Sequence, residues 1–151
     1  MKRAERMKTV QRAVEDDERR RAEKFAVSER RVIECEAKLA ELEGYRLSYS
    51  QQFSVRAGAG IGGAGLRDFQ TFLARLEEAV RQQIQIVQRA RVERDSERNR
   101  WQGAASRAKA VGGVVKRWQN EDLREMERRE QNESDERSQR TSGGELNARG
   151  P

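Results

Sequence analysis

The sequence predicts an all-α chain folded as one long antiparallel two-helix coiled-coil hairpin with a disordered C-terminal tail. Three observations predict it. Apolar residues recur at alternating steps of three and four along two long stretches, a glycine-rich interruption separates those stretches, and the only proline is the last residue, Pro151. Composition agrees: of 151 residues, hydrophobic types make up 34% and charged types 38%, too little apolar surface for a thick layered core. A two-stranded coiled coil needs apolar side chains at only two of every seven positions and leaves its other faces free for charge.

The first arm is expected over about residues 3–54. Its seam runs through Phe25, Ser28, Val32, Cys35, Leu39, Leu42, Arg46, Tyr49 and Phe53, with the spacing of a coiled coil. Upstream, Met7, Val10 and Val14 extend an apolar stripe that fades at Asp17 and Arg21. Acid-first pairs four residues apart, such as Glu15 with Arg19 and Glu34 with Lys38, support the exposed face. Residues 55–65 form the tip, where five glycines between Gly58 and Gly65 free the backbone to reverse.

The second arm, about residues 66–136, holds one register from Leu66, Phe69, Leu73 and Leu76 through Val87, Trp101 and Val115 to Trp118. An arm of about 50 residues at roughly 1.5 Å per residue would be about 75 Å long. Reversal near Gly60 sets Phe53 against Leu66, Leu42 beside Leu76 or Ala79, and Val10 near Val111. The first arm is then exhausted near Trp118, so Gln119 to Glu136 projects as a single helix. Residues 1–140 are thus one coiled-coil domain. The composition turns to Ser, Gly, Asn and Arg after Arg137, and residues 141–151 are expected to be a disordered tail. Gly112 and Gly113 interrupt the second arm, each costing roughly 1 kcal/mol relative to alanine when exposed. They read either as tolerated looseness or as a flexible joint.

The same residues exclude several classes of function. There is no histidine and only one cysteine, Cys35, which removes an internal disulfide, a Cys/His metal site and the usual general base. Paired acids such as Asp16 and Asp17 lie in runs with basic neighbours and lack the burial that would tune a carboxylate for acid–base work. The tip glycines are not followed by the Gly-Lys-Ser or Gly-Lys-Thr of a phosphate-binding loop. No catalytic residues, cofactor or metal are expected. One thiol and the absence of a long apolar run point to a soluble protein of the cytoplasm. The net charge of +6 admits an acidic partner, but 32 basic residues are interleaved with 26 acidic ones, as on solvated helix faces.

A nucleic-acid reading starts from Arg19, Arg20, Arg21, Arg30 and Arg31 with Trp101 and Trp118 as stacking residues. Both tryptophans fall in the seam, where packing is the simpler use. More informative are Tyr45 and Phe72, one position outside the register beside Leu42, Tyr49, Leu76 and Ala79. They either fatten the core or form a partly exposed face of the kind that binds proteins.

These residues resemble a known family. The run Leu39-Ala-Glu-Leu-Glu-Gly-Tyr45-Arg-Leu-Ser-Tyr49, the glycine-rich tip, Phe69-Gln-Thr-Phe72-Leu-Ala-Arg-Leu76 with Ala79 and Gln82-Gln83, and Trp101 followed by Arg107-Ala-Lys109 resemble the flagellar FliJ family. Arg128-Arg-Glu130-Gln131 and Asp135-Glu136-Arg-Ser-Gln-Arg140 resemble its closing motif.

The resemblance implies a non-enzymatic component of the flagellar type III protein export apparatus, needed for flagellum assembly and motility. It would couple the ring of the export ATPase FliI to the cytoplasmic domain of the export gate protein FlhA, and would escort export chaperones. On that model Leu42, Tyr45, Tyr49, Phe72, Leu76 and Ala79 face the gate. Met7, Val10, Val14, Trp118, Arg124, Glu130, Gln131 and Asp135 face the ATPase ring. The protein would be cytoplasmic and peripheral at the inner membrane, reaching it only through the export apparatus. The competing readings are a generic cytosolic coiled-coil scaffold and a basic nucleic-acid-binding protein.

Overall fold

The computed structural model describes residues 2–148, and their side chains as far as residue 144. It contains two helices, α1 over Arg3–Gly58 (56 residues) and α2 over Gly63–Ala148 (86 residues), with no strand among the described residues. This is the helical hairpin that the seam predicts.

The reversal takes four residues, fewer than the 55–65 expected, because most of the tip glycines belong to the helix ends. The Ala59 amide donates to the carbonyls of Val55 (3.1 Å) and Arg56 (3.2 Å), tightening the last turn of α1. Gly60 then adopts φ +88°, the left-handed conformation that glycine enters without steric cost. The Leu66 amide donating to the Gly62 carbonyl at 2.9 Å opens α2. Gly65 packs close to Ile61: a methyl there would meet the Ile61 side chain at 3.0 Å, so that side chain would have to shift by a few tenths of an ångström. Glu5 in the first turn of α1 and Arg56 in its last complement the helix dipole.

Two units share these helices. In the unit Asp17–Ala104, Ser28, Val32, Phe69, Leu76, Val80, Val87, Ala90 and Ala104 are buried, each at its expected seam position. Arg46 departs from the predicted seam and stays exposed. Gln83 and Trp101 are partnered across the helices and Ser28 locally, while Glu97 keeps one carboxylate oxygen, Oε2, buried without a hydrogen-bond partner. Gln83 Nε2 donates to the Cys35 carbonyl at 3.0 Å, Trp101 Nε1 donates to Glu18 Oε1 at 3.1 Å, and Ser28 Oγ donates to the Phe25 carbonyl at 2.7 Å. Trp101 also stacks on Phe25, ring centroids 5.8 Å apart and nearly parallel at 9°.

In the unit formed by Met1–Asp16 with Ala105–Pro151, Ala4 and Val115 are buried, while Met7, Gln11, Val14, Ala108, Val111 and Trp118 are half-buried. This corrects the expected stripe. Val10 is 44% exposed, and its pairing with Val111 gives way to Gln11 facing Gly112. Continuing the three–four steps back from Phe25 leads through Glu18, Val14, Gln11, Met7 and Ala4, so spacing rather than hydrophobicity selects the inward side chain.

From Leu123 to Gly144 every side chain is exposed; α2 still flanks the start of α1 through Glu121, which pairs with Arg3, and through grooves that Lys2 and Arg3 share with Met126 and Arg129, so its single-helix stretch begins later than the expected Gln119. It continues past the expected end near Glu136 to Ala148. Local bonds accompany it: Arg129 pairs with Glu125 at 2.8 Å, and Thr141 Oγ1 donates to the Arg137 carbonyl at 2.9 Å. An unpaired helix is marginal in water, so the far part of this stretch depends on such local bonds. The expected disordered tail falls in part on residues 149–151, which lie outside the described residues.

Val87 is 2% exposed and Val92, five residues on, 71%. Val87→Ala should therefore lower the stability of the chain by about 1–3 kcal/mol, whereas Val92→Ala changes it by less than about 0.5 kcal/mol. Urea denaturation followed by helical circular dichroism reads both.

Candidate functional site

Close to the reversal, within the unit Asp17–Ala104, four rings interlock. Tyr49 packs against Phe69 (centroids 4.6 Å) and Phe72 (4.5 Å), and Phe53 against Phe69 (5.6 Å). The Arg56 guanidinium lies 5.3 Å over the Phe69 ring. Phe69 is the buried centre, and the others surround it.

Phe72 is 48% exposed and Tyr45 57%. Of the two readings of these off-register aromatics, the exposed face is the one observed. Leu42, Tyr49 and Ala79 are half-buried at its base. Leu76, expected both in the seam and on the gate-facing surface, is 9% exposed and lies in the core, because its place in the three–four register turns it toward α1. Sequence reasoning did not single out Leu47 and Val55, which are exposed apolar residues of the same region of α1. Their lack of seam register was the available signal.

The Tyr45 hydroxyl donates to Glu41 Oε1 at 3.0 Å, one helical turn back. That hydrogen bond, reinforced by the negative charge of the carboxylate, raises the phenol above its ordinary pKa of 10.0. The face therefore presents a neutral hydroxyl, aromatic edges and an adjacent carboxylate, a combination suited to protein contact.

The second set of predicted residues lies in the unit containing both chain termini. Met7, Val14 and Trp118 are half-buried there, while Val10, Arg124, Glu130, Gln131 and Asp135 are exposed. Arg3 pairs with Glu121 and sits 4.8 Å over the Trp118 ring. Gln131 Nε2 donates to Asp135 Oδ1 at 3.4 Å. Charge is segregated in this unit. The α1 segment from Lys2 to Arg12 carries five basic residues against Glu5 alone, and α2 carries no acid between Ala105 and Asn120. From Glu121 to Glu136, by contrast, eight acids face three arginines. The sequence reading, which took charge as interleaved along the whole chain, missed this zoning; a count over windows would have found it.

Neither indole is open as a stacking platform: Trp101 lies against Phe25, and Trp118 is covered by Arg3. Asp17 lies within 3.6 Å of Arg20 and 3.8 Å of Arg21. A groove of about 610 Å³ lined by Arg20, Glu23, Lys24, Val27, Glu93 and Glu97 mixes both signs of charge. Among the described residues no cluster of three or more potential metal ligands occurs, and no helix is long and apolar enough to cross a membrane.

A family model described as Flagellar FliJ protein matches residues 1–146. No curated protein and no solved structure matches the chain.

Because the Tyr45 phenol is held by Glu41, its ionisation in an ultraviolet pH titration should come above the ordinary tyrosine range. Glu41→Gln should move it down toward 10.0. The same shift makes the interaction stabilising below the unfolded pKa and lost as pH rises through the folded one.

Proposed function

The chain belongs to the flagellar FliJ family and is a component of the flagellar protein export apparatus; we propose that within it the chain is a non-enzymatic coupling protein with two docking surfaces. The face built on Tyr45, Phe72, Leu42, Tyr49 and Ala79 binds the cytoplasmic domain of the export gate protein FlhA, while Leu76 lies in the core. The terminal unit, through Met7, Val10, Val14, Trp118, Arg124, Glu130, Gln131 and Asp135, binds the ring of the export ATPase FliI. The protein acts in the cytoplasm, peripheral at the inner membrane, and hands on export chaperones.

The observation that carries this reading is the exposure of Tyr45 and of Phe72, the latter on the outer side of the aromatic cluster where it packs on Tyr49 alone of the rings. A scaffold in which the seam is everything would have no reason to keep two large aromatics wet, and partly exposed aromatics are the side chains that anchor protein interfaces. The zoned charge of the terminal unit favours a partner with complementary zones, acidic where it meets the basic segments and basic where it meets Glu121 to Glu136.

The joint substitution Tyr45→Ala with Phe72→Ala should leave helicity intact and weaken binding to purified FlhA cytoplasmic domain by at least about ten-fold, the loss of one good anchor. If melting collapses while binding per folded molecule is unchanged, the aromatics belong to the core and the scaffold reading replaces this one. At the other surface, binding to the purified ATPase, scored as stimulated hydrolysis, should fall steeply with added salt. Absence of stimulation at every salt concentration would remove the ATPase assignment.

A further inference from the structure

Gly112 and Gly113 stand side by side in the middle of α2, and packing does not require either of them. A methyl group on Gly113 would meet nothing within 4 Å, and one on Gly112 would meet only Gln11 Nε2 at 3.6 Å, an ordinary contact. The backbone does not require them either, since among the described residues the only positive-φ glycine is Gly60. Alanine fits at both positions and would favour the helix by roughly five-fold in local equilibrium at each. What glycine adds there is low local helix stability.

The wall opposite is thin as well. Gln11 takes the inward place in α1 and Val10 points out, so this layer of the core has a polar side chain on one helix and none on the other. The buried apolar residues of the unit, Ala4 and Val115, are small. Beyond the glycines, α2 is held to α1 by the buried Val115 and by Arg3, which pairs with Glu121 and covers Trp118. Both partners of that ion pair are about half exposed, a setting in which such pairs are weak and are screened by salt.

We propose that Gly112–Gly113 is a compliant joint in α2 and that Arg3, Trp118 and Glu121 form the latch that holds the helix beyond it against α1. Opening the latch lets the stretch from Lys116 onward, with its acidic segment, bend or fray at the glycines, while Ala105–Val111 keeps its helical bonding. A helix opens first where propensity and packing are both lowest, and here the two minima coincide. The joint is a property of this chain alone and stands whether or not either docking partner assigned above is correct.

Amide hydrogen exchange on the full chain tests it, with rates corrected for the intrinsic rates of each sequence. Amides of Val111–Arg117 should exchange faster than those of Trp101–Ala108, and more so at high salt. Gly112→Ala with Gly113→Ala should slow them by about 30-fold, the product of the two propensity gains. Arg3→Ala should speed exchange over Lys116–Asp122 and abolish its salt dependence. Uniform protection from Trp101 to Arg117, or no change in the double alanine variant, overturns the joint. Unchanged exchange in the Arg3→Ala variant overturns the latch. Circular dichroism of each variant shows whether the helices themselves are intact.

Discussion

The seam is the constraint on which everything else depends. Apolar and small side chains at alternating steps of three and four supply nearly all the buried surface of this chain, since each helix has a single partner and there is no third element to cover it. Every position that leaves the register is wet by default. That is why an exposed aromatic here means more than in a globular domain, where another layer could cover it.

The same narrowness makes the core sensitive to single positions. At Phe69 and Trp101 the opposite helix answers with rings, Tyr49 and Phe53 around Phe69 and Phe25 against Trp101, whereas Trp118 is met by the Arg3 guanidinium. At some polar seam residues a hydrogen bond keeps the layer closed, across the helices from Gln83 to the Cys35 carbonyl and within α1 from Ser28 to the Phe25 carbonyl. Where the seam offers Gln11 against Gly112, little is left to close. Packing quality thus varies along the helices in steps of one heptad, and local stability varies with it.

Charge takes over where the seam runs out. Toward its C-terminal end α2 has only Leu123 and Met126 as large apolar residues between Leu123 and Gly144, and is dominated there by charged and polar side chains. Its acids follow directly on a stretch without any, so the terminal unit presents two zones of opposite sign. Such zoning contributes selectivity and orientation in an encounter more than affinity. The aromatic face beside the reversal offers the opposite: few charges, a satisfied hydroxyl and rigid rings. Two surfaces of such different chemistry suit two different partners.

How much was legible beforehand follows from what is local. The register of Phe69, Leu76, Val80, Val87 and Ala90 could be read from spacing because a helix fixes, within a few residues, which side chains share a face. The glycine-rich reversal could be read for the same reason, glycine's freedom being a property of the residue itself. Two things were not legible. Spacing pointed inward at Gln11 while hydrophobicity pointed at Val10, and only the facing helix settled the choice. Tyr45 and Phe72 could have thickened the core or faced solvent, because the exposure of a flanking position depends on the size of the side chains across the seam. By itself, then, the sequence determined the helices, their register, the place of reversal and the unpaired C-terminal stretch of α2. Only the tertiary structure decided which flanking residues remain exposed, that Gln11 rather than Val10 takes the inward place, and that no packing explains Gly112 and Gly113. Burial is a relation between two helices, and one-dimensional periodicity describes only one of them.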